Sequence, residues 1–270
     1  MGNRVITHQQ NRDDDVAQPQ VPWAWIKCIN DMLQNSNINS NINYSTNEHG
    51  NPSRTSTTNN IDLPASISSW LYLSDEASAL DLPKLKSMGI THVLSLNGVA
   101  PYKCRWSKDR YDSVGIVHKR IHAEDNEGYA MINKHWDECY SFLKQVHDNN
   151  QHYQEEQEQY HHTANMTNIN NVNVKEKMKV VVHCVSGINR SGVIVCAALM
   201  IFEQMEVLKV VMHCIQQRKV ILWNKSFRKQ LCILAAKYEL LGEKPEGYDD
   251  EPIVEEPLPP PPIRALDRIL

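Results

Sequence analysis

The sequence contains no apolar run approaching the roughly 18 residues that a membrane-spanning helix needs, and its first residues lack the apolar core of a signal peptide. Its seven cysteines are scattered and include no C-x-x-C pair, so neither a zinc site nor a disulfide framework is indicated. With a net charge of -4, the chain also lacks a broad basic surface for nucleic acid. These absences predict a protein of a reducing compartment, the cytoplasm or the nucleus, with no membrane span, cofactor, metal or nucleic-acid partner.

Three stretches of the chain are too polar to bury the apolar surface that would offset the entropy of ordering. They are the Asn- and Ser-rich residues 34–60, the segment from about 148 to 177, and the acidic, Pro-rich tail 244–270. We predict disorder for all three. The chain is therefore divided into a polar N-terminal extension (1–60), one folded domain (61–243) that contains a polar insertion at about 148–177, and the tail.

The folded domain alternates strand-like and helix-like segments. The strand candidates are 69–76, 91–97, 115–123 and 179–184, and the clearest helices are 131–147 and 193–205. This alternation predicts an α/β fold with a central sheet flanked by helices.

Two features lie outside the domain. Residues 22–33 have apolar side chains at helical spacing, which predicts a short helix that packs on the domain or, alternatively, docks a partner. In the tail, LPPPPIR at 258–264 fits a polyproline ligand with a trailing cation, so we predict a polyproline-binding partner there, with an ordinary extended tail as the alternative.

The most informative segment reads VVVHCVSGINRSGVIV, in which a hydrophobic strand runs into a short loop and a buried helix follows at once. Backbone N–H groups of such a loop point inward and the helix N-terminus adds positive potential, which together form an anion site and stabilise a thiolate at Cys184. Gly187 permits a tight backbone, and the planar fork of Arg190 binds two phosphoryl oxygens. The predicted phosphate loop comprises Val185, Ser186, Gly187, Ile188, Asn189 and Arg190.

A thiolate in this position is able to attack phosphorus and form a thiophosphate intermediate. Ser191 would stabilise the thiolate as it leaves, and His183 would support the loop by hydrogen bonds without touching the substrate. The plain alternative is that Cys184 is a buried structural cysteine. The ordered series of strand, His, Cys, Gly, Arg, Ser and helix favours the catalytic interpretation.

HCVSGINRS resembles the H-C-x-x-G-x-x-R-[ST] signature of the cysteine-based protein phosphatases, and its surroundings resemble the small dual-specificity enzymes among them. The resemblance covers about 61–242, including the segment RKVILWNKSFRKQL near the end of the domain. It implies a dual-specificity phosphatase fold and hydrolysis of phosphotyrosine and of phosphoserine or phosphothreonine in protein substrates, with Cys184 as nucleophile. By position Asp125 matches the general acid, although Glu124 and Glu127 are close neighbours.

Asn189 departs from the usual residue of this family and leaves a second activity open. The run Asn189, Arg190, Ser191, Gly192 is also similar to the loop of the RNA 5′-triphosphatase branch, which uses the same thiolate on a triphosphate end. A non-catalytic phosphoprotein-binding module is the third alternative, although it would need a missing catalytic element, and Cys184, Arg190 and Asp125 are all present.

Overall fold

The computed structural model describes residues 20–40, 44–46, 52–54, 62–97, 108–164 and 177–253. Its helices are α1 (Trp23–Ser40), α2 (Glu76–Ala79), α3 (Leu82–Ser87), α4 (Lys108–Asp112), α5 (Met131–Ala164), α6 (Arg190–Phe202), α7 (Val207–Arg218) and α8 (Lys225–Lys237). Its strands are β1 (Tyr44–Thr46), β2 (Pro52–Arg54), β3 (Ala65–Ser66), β4 (Leu71–Ser74), β5 (His92–Leu96), β6 (Val117–Ile121) and β7 (Val180–His183). None of these described helices has both the length and the hydropathy that crossing a membrane requires.

Five strands form the central sheet, in the order β3-β4-β7-β5-β6. The pairs β4–β7, β5–β7 and β5–β6 are parallel, and the short edge strand β3 is antiparallel to β4. The predicted α/β fold with a central, mostly parallel sheet is therefore confirmed. The last strand in the chain, β7, lies in the middle of the sheet, so the loop that follows it opens between the ends of β4 and β5.

The two faces of the sheet pack against different helices. Along β7, Val180 and Val182 belong to a large core with α5, α6, α7 and α8, whereas Val181 belongs to a smaller core beneath α2 and α3. This alternation follows from the two-residue period of a strand. Because both faces are covered, the β-branched run of β7 is buried along its whole length.

Helix α5 corrects the prediction of disorder for residues 148–164, while residues 165–176 of that stretch lie outside the described residues. The helix predicted at 131–147 continues to Ala164, through a stretch rich in Glu and Gln. These residues are strong helix formers, and a helix already nucleated by packing extends at little cost. The prediction of disorder was wrong for this part of α5. Its residues are polar on all sides of the helix, so no repeat of apolar residues in the sequence indicates a helix.

Helix α1 packs on the domain, as one of the two interpretations predicted, and it extends beyond the predicted 22–33. Ala24, Ile26, Ile29 and Leu33 are buried on its inner face. The helix continues to Ser40, and β1 and β2 pair as an antiparallel hairpin inside the stretch predicted to be disordered.

The first part of the tail also has defined contacts, with α1. Tyr248 donates a hydrogen bond to Asp31, Lys27 pairs with Asp249, and the backbone N–H of Ala24 donates to Asp250. The polyproline motif at 258–264 lies outside the described residues.

Candidate active site

The predicted phosphate loop lies where the central strand ends. His183 is the last residue of β7 and Arg190 the first of α6, so Cys184 to Asn189 form the whole connection. Crevices at the carboxyl ends of parallel strands are the usual binding sites of α/β proteins. The fold therefore brings the residues of the predicted signature to a position where ligands are expected.

Neighbouring elements hold the carbonyl groups of this loop from outside. The carbonyl oxygen of Val185 accepts from the N–H of Glu76 at 3.1 Å, and that of Ile188 from the N–H of Leu222 at 3.0 Å. The carbonyl oxygen of Ser186 accepts from Nη2 of Arg218 at 3.0 Å. Three carbonyls of the loop are thereby turned away from its centre.

The amide groups of the loop take the opposite direction. In a planar trans peptide the C=O of one residue and the N–H of the next point to opposite sides. The N–H groups of Ser186, Gly187 and Asn189 follow the three braced carbonyls and so point inward. Among the described residues, none accepts a hydrogen bond from these amides. Together with the start of α6 they form an anion-binding nest.

Gly187 is required at this position for two separate reasons. Its φ is +66°, in the left-handed region that favours glycine. A Cβ atom there would lie 2.5 Å from the carbonyl oxygen of Ser74 and 2.9 Å from the backbone nitrogen of Asp75. Because both of these are backbone atoms, no side-chain rotation relieves the contact. The loop therefore closes against the end of β4 only with glycine here.

The nucleophile candidate has a hydroxyl partner. Cys184 is 1% exposed, and Oγ of Ser191 donates a hydrogen bond to its Sγ at 3.2 Å. Arg190 is also buried, and its Nη1 donates to the carbonyl oxygen of Ala123 at 3.2 Å. The guanidinium is thus held by the same segment of chain that carries the acid candidates.

The geometry separates the three acid candidates. Asp125 lies 3.5 Å from Nε of Arg190. Glu127 instead accepts from the backbone N–H groups of Lys225 and Ser226 and so caps α8, while Glu124 is exposed and accepts from Asn126. Of these three carboxylates, all within the described part of the chain, only Asp125 contacts Arg190.

His183 supports the loop through a chain of neutral groups. Its Nδ1 lies 3.2 Å from the carbonyl oxygen of Cys184, so Nδ1 carries the proton and donates. Nε2 then accepts from Ser95, 2.6 Å away, and Ser95 accepts in turn from Nε2 of His118 at 2.8 Å. Burial lowers the pKa of His183 to about 4 and that of His118 to about 4, so both rings are neutral at pH 7.

Sequence reasoning did not assign roles to several residues that complete the site. Asn224 donates from its backbone N–H to Asn189 at 2.9 Å and from Nδ2 towards Asp125 at 3.5 Å. Arg218 holds Ser186, as described above. Both residues lie in RKVILWNKSFRKQL, which was noted for its resemblance alone, and its mixed polar and apolar pattern gave no sign of these contacts.

No group of three or more metal-ligating side chains occurs among the described residues. Comparison with known proteins identifies the family. The catalytic-domain signature of the dual specificity phosphatases matches residues 71–237, more than half of the chain. The chain belongs to the dual specificity phosphatase family.

The similar curated proteins are distant. Human and orangutan (Pongo abelii) dual specificity protein phosphatase 26 are 24% identical over 164 residues, which is 61% of this chain and 63% of the relative. The match therefore spans less than two thirds of the length of these relatives. Among solved structures, DUSP15 aligns with a TM-score of 0.46 at 22% identity, covering 69% of this chain and 97% of the other. Human DUSP28 aligns with a TM-score of 0.47 at 14% identity, covering 66% and 97%.

Proposed function

We propose that this protein is a phosphatase that hydrolyses phosphotyrosine and phosphoserine or phosphothreonine in proteins through a cysteinyl-phosphate intermediate. The observation that carries the proposal is the convergence of two residue pairs and a set of inward amides at one loop. Cys184 lies against Ser191, Arg190 lies against Asp125, and the loop that joins Cys184 to Arg190 carries the amides. The family match at 71–237 supports the same activity.

The first step transfers the phosphoryl group to the enzyme. The amides of Val185 to Asn189 and the guanidinium of Arg190 bind the phosphoryl oxygens and spread the charge of the transition state. The Cys184 thiolate attacks phosphorus, so a P–S bond forms while the bond from phosphorus to the substrate oxygen breaks. Protonated Asp125 donates its proton to that oxygen, and the dephosphorylated protein leaves as a neutral alcohol or phenol.

The second step releases phosphate. Water attacks the phosphorus of the intermediate and gives a proton to the Asp125 carboxylate. The P–S bond breaks, and Cys184 leaves as a thiolate that accepts a hydrogen bond from Ser191. The cycle thus restores both the thiolate and the protonated acid and consumes one water molecule.

The two alternative functions depend on different features of the site: the RNA 5′-triphosphatase on Asn189, and the binding module on the loss of a catalytic residue. The run that resembles an RNA 5′-triphosphatase depends on Asn189, but its side chain accepts from the backbone N–H of Asn224 and so braces the loop. This contact supplies a structural reason for the asparagine that does not involve RNA. A non-catalytic binding module would need a missing element, whereas nucleophile, arginine and acid candidate are all present.

The test compares the initial rates of the wild type and Cys184→Ser on a phosphotyrosine peptide, a phosphothreonine peptide and a 5′-triphosphate RNA. We expect peptide turnover that falls by at least about 10⁴-fold in Cys184→Ser, because the whole covalent route is lost. Cys28→Ser serves as the matched control, since it replaces a partly buried cysteine of α1 that is remote in sequence from the loop.

Each substrate arm has a defined meaning. Turnover of the RNA alone would replace the proposal with the triphosphatase. Binding of the phosphopeptides without turnover by the wild type would replace it with the binding module. Equal rates for wild type and Cys184→Ser on a peptide would refute the thiolate mechanism.

A further inference from the structure

Arg228 on α8 joins two parts of the molecule that are distant in sequence. Its Nε donates to the carbonyl oxygen of Leu222 at 2.6 Å and its Nη2 to that of Trp223 at 2.8 Å. Its Nη1 donates to Oδ1 of Asn30 on α1 at 2.6 Å. Burial lowers the pKa of Arg228 to about 10 and the Glu127 carboxylate opposes that shift, so the group is a cation at pH 7.

The first of these acceptors is a strained residue. Leu222 is fully buried and has a φ of +53°, a left-handed conformation that is unfavourable for a residue with a Cβ. Such a conformation persists only where the surroundings hold it. Here the hydrogen bond from Arg228 holds its carbonyl group, and its N–H is bonded to Ile188 in the phosphate loop.

The segment 222–224 contacts both halves of the active site. Leu222 braces the phosphate loop at Ile188, and Asn224 braces it at Asn189 while its side chain approaches Asp125. A change in this segment would therefore move the anion-binding amides and the acid candidate together.

Helix α1 supports this segment through a hydrogen bond that spans a groove. A groove of about 270 Å³ separates α1 from the segment before α8, and its lining includes Asn30, Leu33, Trp223 and Arg228. Asn30 reaches across to Arg228, and α1 itself lies outside the family match at 71–237.

We propose that Arg228 and Asn30 form a positioning clamp by which α1, a helix outside the family's catalytic domain, holds segment 222–224 and hence the phosphate loop and Asp125 in their working arrangement. The clamp rests on the proposed function, since it acts on the same site. Neither residue touches substrate. Arg228 acts through the backbone of Leu222 and Trp223, and Asn30 acts through Arg228.

The test measures kcat and KM of the full-length chain with Arg228→Lys, Asn30→Ala and the double variant, using the phosphotyrosine peptide. Lysine cannot reach three acceptors at once, so Arg228→Lys should lower kcat about tenfold, and Asn30→Ala about threefold. We expect KM to stay within about twofold, since the lost interaction acts on the transition-state arrangement. Lys27→Ala is the matched control, because it removes the contact of the same helix with Asp249 one turn earlier and should leave kcat unchanged.

A merely structural role would give a different pattern. In the clamp, Asn30→Ala should have almost no further effect on kcat once Arg228 is lysine, because Asn30 acts through that guanidinium. Effects on ln kcat that add in the double variant, or folded single variants with wild-type kcat, would overturn the clamp. An effect of Lys27→Ala equal to that of Asn30→Ala would also overturn it, because general loosening of α1 would then explain both.

Failure of the clamp and failure of the proposed function are separable. The comparison of wild type with Cys184→Ser judges the function, and the clamp variants are judged relative to the wild type. If the wild type turned over none of the substrates, orthovanadate affinity would replace kcat. The clamp then requires Arg228→Lys to weaken vanadate binding more than Lys27→Ala does, and equal affinities would refute it.

Discussion

The phosphate loop and the segment that carries Asp125 are built in different ways. Hydrogen bonds from several elements hold the backbone of the phosphate loop, and most of its residues are buried. In residues 122–130 the backbone carbonyls of Ala123, Asn126 and Tyr129 accept from the side chains of Arg190, Asn224 and Gln230, and most side chains are exposed.

This difference suits the two roles that we propose for these segments. An anion site made of backbone amides depends on backbone position, so it needs a rigid and buried frame. A general acid must reach the leaving oxygen of the substrate and exchange protons with water, so partial exposure suits it. Two of the side chains that hold the acid segment, Arg190 and Asn224, themselves belong to the site, which ties the placement of Asp125 to that of the phosphate loop.

Among the substitutions that test this contrast, we expect the largest loss of activity from Gly187→Ala in the phosphate loop. Gly187→Ala places a Cβ against the backbone of Ser74 and Asp75, so the loop must shift and several anion-binding amides move with it. We expect kcat/KM to fall by at least about 10³-fold, since the loss of one such donor already costs about 10²–10³-fold. Steady-state kinetics on the phosphotyrosine peptide, with circular dichroism as a check of folding, provides the measurement.

Gly128→Ala is the matched change in the acid segment. Gly128 also has a left-handed φ, +82°, but a Cβ there would meet no atom within 4 Å. It should cost stability of about 1–2 kcal/mol and leave kcat/KM within about twofold. A similar loss of activity in both alanine variants would contradict the contrast between the two segments.

A second prediction concerns the role of Asp125 as general acid in the more exposed segment 122–130. Asp125→Asn should lower kcat about 10²-fold on a phosphothreonine peptide, whose alkoxide leaving group needs a proton, and much less on an aryl phosphate with a good leaving group. Glu127→Gln should retain most activity, because Glu127 caps α8. If Glu127→Gln showed the greater dependence on the leaving group, the acid would have to be reassigned to Glu127.

The third prediction concerns the effect of pH on His118 and His183, the two buried histidines that support the phosphate loop. The folded state holds His118 and His183 neutral, with pKa values lowered from 6.5 to about 4, so it binds fewer protons than the unfolded state between these values. Their stabilising contribution is complete above pH 6.5 and is lost as the pH falls towards 4. At pH 5 the loss is on the order of 2 kcal/mol for one histidine.

Urea unfolding at pH 7.5, 6 and 5 measures this loss. His118→Gln, which retains a donor towards Ser95, should flatten the decline in the free energy of unfolding between pH 6.5 and 5. An unfolding free energy that stayed constant or rose on acidification would show that these histidines are not held neutral.

The sequence predicted the candidate site best where the residues of the site lie next to one another along the chain. The strand, nucleophile, glycine, arginine and hydroxyl all lie within VVVHCVSGINRSGVIV, so their arrangement follows from local structure. The parallel part of the sheet was predictable for a similar reason, since β4, β5 and β7 each lie in an apolar run and β6 lies in an alternating segment. The structure brings together Cys184 with Ser191 and Arg190 with Asp125, as those expectations require.

The clamp residues could not be found in this way. Arg228 and Asn30 are 198 positions apart, and although Arg228 lies within RKVILWNKSFRKQL, no sequence pattern links that segment to Asn30. The left-handed Leu222 is equally hidden, because leucine gives no sign of that conformation and tertiary hydrogen bonds impose it. The extension of α5 could not be predicted, because its residues show no periodic pattern of apolar side chains.

Asn150 joins the two ends of the inserted segment. Its side chain bonds both the N–H and the carbonyl oxygen of Met178, at 2.8 and 2.9 Å, so the chain leaves and re-enters the domain at one point. β7 begins two residues later and ends just before Cys184. Because this contact fixes Met178 next to Asn150, we expect the register of β7 to tolerate changes in chain length between the two residues. A reporter domain inserted between Asn150 and Met178 should therefore leave Cys184 in place.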